Sequence, residues 1–511
     1  MHRDKLLKLL RRDVVFKRDD VRGVYPSDVN EEIMREVGRA FARLLCADNP
    51  NIRPVRVVVG RDMRVGSEEL EAAFIAGLQD SGAKVFSLGL CSSEYIYFAT
   101  GQNPGDFEGG AMVTASHNPK EFHGVKMVAR GGKPISPGQL DDMRRAVIRQ
   151  MTGSATVRLD VSDDYTDRVL TMIDYDAKSG SIAGGAPLKV VVNAGNGMGG
   201  YVFQKVAKKL SAFEFVFVDS TPDGNFPNNL PNPLNESFLA ALSVQVDSYG
   251  ADMGLCFDGD ADRMGLVDDS ARPVTASSII ALIARRMAES YARKEPQIHI
   301  FYNLTTSWLV RDVLAEIDPT GRKVIGVPTP VGHAKIKALM RQPEYASAVF
   351  AGEYSGHFFF RDFYLCDSGV LAALTILDMA SKLKAKGRKL SQLLVGWEGK
   401  YFMSPETNFD FPERAAALKC IGKVWDHYKG KGGKLFGIVR DPKRDFDSVR
   451  ELTGYDPSKL AAEDLKIEFE DWWLCVRPSG TEPKLRATVE ARGSRALMEE
   501  KLAEVTKIIK M

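Results

Sequence analysis

The chain has 511 residues, with 69 Lys and Arg against 67 Asp and Glu, a formal net charge of +2. That near balance speaks against a nucleic-acid binder, whose basic surface must offset a run of phosphates. No stretch approaches the roughly 18 uninterrupted apolar residues of a membrane span, so neither nucleic acid nor membrane is expected as a partner.

A single hydrophobic core rarely grows to this length, so several domains are expected. The hydrophobic fraction of 44% and the charged fraction of 27% are those of an ordinary globular protein. Residues 1–15 are charged throughout and predict a short amphipathic helix rather than a signal peptide. Cys46, Cys91, Cys256, Cys366, Cys420 and Cys475 are scattered with no CxxC pair. Free thiols in a reducing cytoplasm fit that pattern better than a disulfide framework or a zinc site.

Apolar runs alternate with helical stretches, the rhythm of α/β layers with mostly parallel sheets. Residues 55–60 predict a strand buried on both faces, 67–78 a helix and 83–88 the next strand. The rhythm returns at 188–192, 215–218 and 253–257, and a third time at 298–302, 323–327 and 348–350. Residues 179–187, rich in Gly, Ser and Ala, form either a loop inside the second cycle or a boundary. Residues 367–386 predict a helix with a basic end. Beyond it, 401–511 read as a smaller α+β module closed by an amphipathic helix.

Four segments carry chemistry. In Val113-Thr114-Ala115-Ser116-His117-Asn118-Pro119, small residues allow a sharp turn and Pro119 stops a helix. Ser116 is therefore expected on an exposed loop, although a plain polar turn would read the same way. Sequence adjacency of Ser and His is not a hydrolase triad, and no G-x-S-x-G elbow surrounds this serine.

Next comes Phe257-Asp258-Gly259-Asp260-Ala261-Asp262-Arg263, directly after an apolar run. Three carboxylates at alternate residues repel unless a cation neutralises them, and hard oxygen ligands select magnesium or calcium. An EF-hand needs Gly at its sixth position and Glu at its twelfth, where this chain has Arg263 and Asp269. An acidic surface loop is the bland alternative.

In Gly352-Glu353-Tyr354-Ser355-Gly356-His357, the residues Glu353, Ser355 and His357 share one face if the backbone is extended. A polar strand end near a turn is the other reading. Finally, Arg477-Pro478-Ser479-Gly480-Thr481-Glu482-Pro483-Lys484-Leu485-Arg486 joins guanidinium groups to hydroxyls and a flexible glycine. Such a set can hold a phosphate without a Walker loop.

In order and spacing these segments resemble the α-D-phosphohexomutase superfamily, most closely its phosphomannomutase/phosphoglucomutase branch. The resemblance runs from Phe16 to the last helix. It is supported by Val59-Gly60-Arg61-Asp62, Asn193-Ala194-Gly195-Asn196-Gly197, Pro222-Asp223-Gly224-Asn225-Phe226-Pro227 and Thr329-Pro330-Val331-Gly332-His333. It implies an α/β fold of three related mixed-sheet domains and a smaller C-terminal α+β domain around a central cleft. The boundaries expected are 1–160, 161–272, 273–396 and 397–511.

The resemblance also implies roles. Ser116 carries the phosphate, and Asp258, Asp260 and Asp262 hold Mg2+ together with an oxygen of that phosphoserine. Glu353 and Ser355 bind sugar hydroxyls. Arg477, Ser479, Gly480 and Thr481 hold the phosphate that is not reacting. Lys126, Arg22, Arg263, His333 and His357 fall where the family places cleft residues. Lys126 and His357 are the acid/base candidates, on the argument that a lysine crowded by cations titrates near neutral pH. The substrates implied are hexose phosphates, with hexose 1,6-bisphosphate as intermediate and activator.

Three positions depart from the family pattern. Asp19 replaces an aromatic residue for which Tyr25 is a nearby substitute, Phe122-His123-Gly124 replaces Tyr-Asn-Gly, and Asn303 replaces a lysine. Phosphoglucosamine mutase is the nearest alternative, since its sugar loop differs at one residue, while the segment Asp20 to Gly23 favours the mannose/glucose branch. An aspartate-nucleophile phosphatase normally has Thr or Val at the place of Asp262 and leaves the serine loop unexplained. A non-enzymatic sugar-phosphate sensor would be expected to have lost Ser116 or an aspartate.

Overall fold

The computed structural model describes residues 15–17, 20–103, 105–146, 156–397, 399–441, 446–451, 464–479 and 482–511. The helix expected over 1–15 falls almost entirely outside them, as do Asp19, Gly480 and Thr481. The chain forms two compact units, Met1–Ile279 with Ser355–Ser391, and Ile280–Tyr354 with Gln392–Met511.

The first unit holds two large mixed sheets. One runs in the order Val21–Val24, Phe122–Ala129, Gly109–Val113, Arg56–Arg61, Lys84–Leu90 and Thr156–Arg158. Its centre is parallel, as the buried apolar strands predict, and Phe122–Ala129 pairs antiparallel with both of its neighbours. Helices Glu31–Asp48 and Ser67–Asp80 cover one face, with Val37, Phe41, Phe74 and Leu78 sharing a core with Val57, Val59 and Val113. Asn30 caps the first helix by accepting from the Ile33 amide, and Glu31 and Glu32 face the positive end of its dipole.

The second sheet places Glu214–Val218, Lys189–Asn193 and Met253–Phe257 in parallel and adds Met264–Val267 and Pro273–Val274 antiparallel. Residues 179–187 are more structured than a loose linker. Ser181–Ile182 pairs antiparallel with Tyr175–Asp176 around Gly180, whose φ of 61° makes the reversal possible. Helix Gly369–Lys384 begins two residues later than expected because Asp367 completes a short strand with Cys366, and Ser368 caps the helix.

In the second unit, Ile298–Asn303 lies between Val324–Thr329 and Ala348–Gly352, all parallel. The C-terminal sheet is antiparallel, in the order Tyr401–Met403, Lys484–Arg492, Trp472–Pro478, Leu465–Glu468, Lys434–Asp441 and Phe446–Glu451. Helices Arg414–Tyr428 and Arg495–Lys510 pack on it through Val424, Val505 and Ile509. The α/β fold with a smaller α+β module is as expected. No described helix is long and apolar enough to cross a membrane.

Candidate active site

Within the first unit, two loops leave the carboxyl ends of parallel strands, the edge of an α/β sheet at which ligands characteristically bind. One follows Gly109–Val113 and carries Ser116, and the other follows Met253–Phe257 and carries the aspartates. Ser116 and Ala261 both have left-handed backbones, with φ of 57° and 67°. Residues other than glycine hold that conformation only where their surroundings over-determine it.

Ser116 is not on an exposed loop as expected; it is 1% exposed. The cause is that the serine loop folds against the aspartate loop. Ser116 Oγ donates to Asp258 Oδ2 at 3.3 Å, and Lys126 Nζ and His117 Nδ1 lie 3.5 and 3.4 Å from the same Oγ.

Asp258, Asp260 and Asp262 are all buried, and each brings a carboxylate oxygen within 4.8 Å of the others. Burial and the neighbouring charges of Asp262 and Asp260 push the Asp258 carboxyl well above the usual carboxylate range. Asp260 Oδ2 accepts from Lys126 Nζ and from Ser93 Oγ, both at 2.7 Å, while its buried Oδ1 has no hydrogen-bond partner. Crowded oxygen donors with a buried unpartnered oxygen fit a hard divalent cation. The three aspartates can therefore hold a metal ion.

Lys126 differs from its expectation. Its neighbours are carboxylates, with Nζ 2.7 Å from both Asp260 Oδ2 and Asp262 Oδ2. Burial lowers its pKa, but Asp260, Asp262 and Asp258 outweigh that and raise it, so the ammonium form is favoured. Crowding by cations, the reason given for a neutral-range lysine, does not describe this site.

Arg263 closes the aspartate loop. Its amide donates to Asp258 Oδ1 at 3.1 Å, and its Nε donates to His357 Nε2 at 3.1 Å. Guanidinium only donates, so in the neutral imidazole the ring proton sits on Nδ1, 2.8 Å from Ser355 Oγ. Arg22 pairs with Asp20, and its Nη1 donates to Asn118 Oδ1 at 2.6 Å, which ties it to the serine loop. Thus Ser116, Lys126, His357, Arg22, Arg263 and the aspartates gather in one place.

The extended backbone that would align Glu353, Ser355 and His357 is absent. Residues 353–356 form a turn with Gly356 at a φ of 93°, so strand alternation does not apply. Ser355 and His357 belong to the first unit and Glu353 to the second. There, Glu353 Oε1 accepts from the Gly332 amide at 2.7 Å, which anchors the start of the helix carrying His333. Asn303 Oδ1 accepts from the Tyr354 amide at 3.2 Å, so this departure from the family pattern supports the loop backbone. In the first unit, His123 of the departing Phe122-His123-Gly124 segment meets the Tyr25 ring edge-on at 5.2 Å.

Also in the second unit, Arg477 is not a free cation. Glu406 accepts from Arg477 Nη2 at 2.5 Å and from Arg486 Nη1 at 3.0 Å. Asp464 adds a second negative charge beside Arg477, so the two guanidinium groups face two carboxylates. Ser479 Oγ accepts from the Glu482 amide at 3.3 Å.

Three neighbours of the site were not singled out from sequence. His117 touches Ser116, and its enclosure together with Arg263 and Arg22 holds its pKa down. Asn118 receives Arg22, and Ser93 braces Asp260. Next to Ser93, Glu94 is fully buried, accepts from the Tyr165 hydroxyl and takes the Val370 amide at 3.3 Å. Burial pushes its pKa up to about 8. His117 and Asn118 were visible in the serine motif, but nothing local in the sequence marks Ser93 or Glu94.

Comparison with known proteins fits this geometry. The phosphoglucomutase/phosphomannomutase alpha/beta/alpha domains I, II and III match residues 13–152, 163–271 and 275–399, and the C-terminal domain matches 435–508. A phosphomannomutase of Salmonella montevideo is 33% identical over 506 residues, 97% of this chain and 98% of that protein. A Xanthomonas campestris protein described as "Phosphohexose mutases" is 33% identical over 503 residues, 97% of this chain and 99% of its own. The crystal structure of a phosphoglucomutase/phosphomannomutase family protein from Burkholderia thailandensis aligns with a TM-score of 0.77 at 26% identity, covering 97% of both chains. With a buried serine against three aspartates and all four family domains along its length, this chain belongs to the phosphoglucomutase/phosphomannomutase family and is an intramolecular phosphotransferase.

Proposed function

We propose that this phosphohexomutase interconverts hexose 1-phosphate and hexose 6-phosphate, of mannose and/or glucose, through phosphorylated Ser116 and a hexose 1,6-bisphosphate. The observation that carries this reading is the convergence of Asp258, Lys126 and His117 on Ser116 Oγ, at 3.3, 3.5 and 3.4 Å. The sugar is inferred from relatives that bear the name phosphomannomutase. The domain boundaries remain those inferred above, at 160, 272 and 396, and the scattered free cysteines suit a cytoplasmic setting.

Phosphoryl transfer asks for positioning and charge stabilisation more than for covalent chemistry. A hexose hydroxyl oxygen bonds to the phosphorus of phosphoserine as the P–Oγ bond of Ser116 breaks. The hydroxyl proton passes to a base, for which His357 is the candidate, and the departing serine oxygen takes up a proton from Lys126. Lys126, held protonated by its carboxylates, stands 3.5 Å from that oxygen to offset its charge and supply a proton. His357, oriented by Arg263 and Ser355, is the second proton-handling candidate. Asp258, Asp260 and Asp262, with an oxygen of the phosphoserine, would hold Mg2+, which when bound neutralises charge on the transferring phosphoryl group. In the return half, the other phosphate of the reoriented bisphosphate passes to Ser116, and added bisphosphate primes the enzyme in the same way.

Arg477 and Ser479, with Gly480 and Thr481 beside them in sequence, would grip the phosphate that is not reacting. Glu353, Ser355, Arg263 and His333 would bind the sugar, and Arg22 would hold the serine loop and its phosphate. A coupled assay on mannose, glucose and glucosamine 1-phosphates, with a trace of bisphosphate, tests the activity and ranks the sugars. Turnover of none of them would defeat the proposal, and a clear preference for glucosamine would move it to phosphoglucosamine mutase. Loss of turnover by several orders of magnitude in folded Ser116→Ala is expected, and near-full turnover would remove the carrier role.

A further inference from the structure

We infer that Arg64 is the positioning residue that holds the Ser116 loop in the shape phosphoryl transfer requires. The inference rests on Ser116 being the phosphate carrier. Arg64 is 3% exposed, so its guanidinium must find its partners within the protein. It finds five, one for each N–H. Nη2 donates to the carbonyl oxygens of Ser116 and Asn118 at 2.5 and 2.8 Å, and Nη1 to those of Pro119 and Phe122 at 2.8 and 3.1 Å. Nε donates to Asp62 Oδ2 at 3.0 Å.

Four of the five contacts fall on the backbone of residues 116–122, which returns from the serine turn to the strand bearing Lys126. Asp62 extends the grip to the other side of Ser116. Its Oδ2 accepts from Thr114 Oγ1 at 2.8 Å, and Thr114 Oγ1 in turn accepts the Ser116 amide at 2.8 Å. The amide and the carbonyl of Ser116 are thus both tied to the Asp62–Arg64 pair. Phe226 supports the guanidinium from one side, its ring centre 5.3 Å from the guanidinium carbon.

A planar fork of five donors is what this arrangement uses. Lysine keeps the charge but offers one nitrogen and cannot span the four carbonyls. Ser116 has a left-handed backbone that a non-glycine residue leaves when its supports are removed. Because the serine must meet two different ends of a substrate, its placement bears on both half-reactions. A displacement of the order of 1 Å is enough to slow such a step by about a hundredfold.

The test compares wild type, Arg64→Lys and Ser116→Ala in transfer of labelled phosphate from hexose 1,6-bisphosphate to the protein, with the label mapped by peptide mass spectrometry. In Arg64→Lys, labelling of Ser116 per folded molecule is expected to slow by about a hundredfold, with KM for hexose 1-phosphate unchanged. Amide exchange should quicken in peptides covering residues 114–122 and stay the same in the helix Glu236–Tyr249. Wild-type labelling rate, or unchanged exchange in 114–122, overturns the inference. Should Arg64→Lys fail to fold, Phe226→Leu removes the support under the guanidinium and is expected to slow labelling several-fold, and an unchanged rate overturns it. Label absent from Ser116 in wild type defeats the carrier reading and this inference with it. Label on Ser116 in wild type at a rate that Arg64→Lys matches defeats this inference alone.

Discussion

A Cβ on Gly259 would stand 2.4 Å from the carbonyl oxygen of Ser116, so the aspartate loop and the serine loop meet backbone against backbone. Backbone cannot yield as a flexible side chain can, and even alanine must push the loops apart. Gly259→Ala is expected to lower turnover by roughly ten- to a hundredfold and stability by about 1–3 kcal/mol, the usual cost of overpacking. Steady-state kinetics and thermal unfolding of the purified variant check both. Wild-type turnover would mean that contact between the loops is unimportant for transfer.

Asp260 presents one oxygen to Lys126 and Ser93 and leaves the other without a partner. Asp260→Asn should weaken magnesium binding by at least tenfold, measured by calorimetry on the whole protein as well as by activity. Calcium should bind but support little turnover, since it prefers more ligands at longer distances. Full activity in excess chelator would exclude a metal requirement.

Arg477 shares Glu406 with Arg486, so a bound phosphate would compete with Glu406 for both guanidinium groups. Loss of a charge-assisted hydrogen bond costs about 1.5–3 kcal/mol, so Arg477→Ala should raise KM for hexose 1-phosphate by roughly tenfold to a hundredfold. Labelling of Ser116 by bisphosphate should weaken without disappearing. An unchanged KM for both mannose and glucose 1-phosphates would place the phosphate grip elsewhere.

Glu94 supplies a pH test. Its carboxyl is held up to about 8 by burial, against an ordinary value of 4.5. Between those two values the unfolded chain has lost this proton and the folded chain keeps it. The group therefore lowers stability progressively as pH rises from 4.5 to about 8, with no further loss above. Glu94→Gln removes the titration, so its melting temperature relative to wild type should be higher at pH 8 than at pH 5. Parallel melting curves for the two proteins across that range would show that Glu94 does not titrate in this window.

The expected strands at 253–257, 298–302 and 348–350 all form, because a short apolar run between turn residues carries its own signal. The aspartate motif was legible for a similar reason: alternating carboxylates repel, whatever surrounds them. Of the two readings of 353–357, the polar strand end near a turn holds, because the strand Ala348–Gly352 stops there and Gly356 turns the chain.

By itself the sequence determined the α/β rhythm and the crowding of carboxylates in the aspartate segment, since each depends on residues close together along the chain, whereas the carrier role of Ser116 came from the family resemblance. Tertiary structure alone decided which charges meet. Lys126 lies between Asp260 and Asp262, which follow it by 134 and 136 positions, and this turns an expected neutral-range base into a paired ammonium. Arg64 reaches the carbonyl of Ser116 across 52 positions, although no local pattern points there. The physical reason is that periodicity and turn chemistry are local properties of a chain, whereas the partner of a buried charge is chosen by how sheets and loops pack.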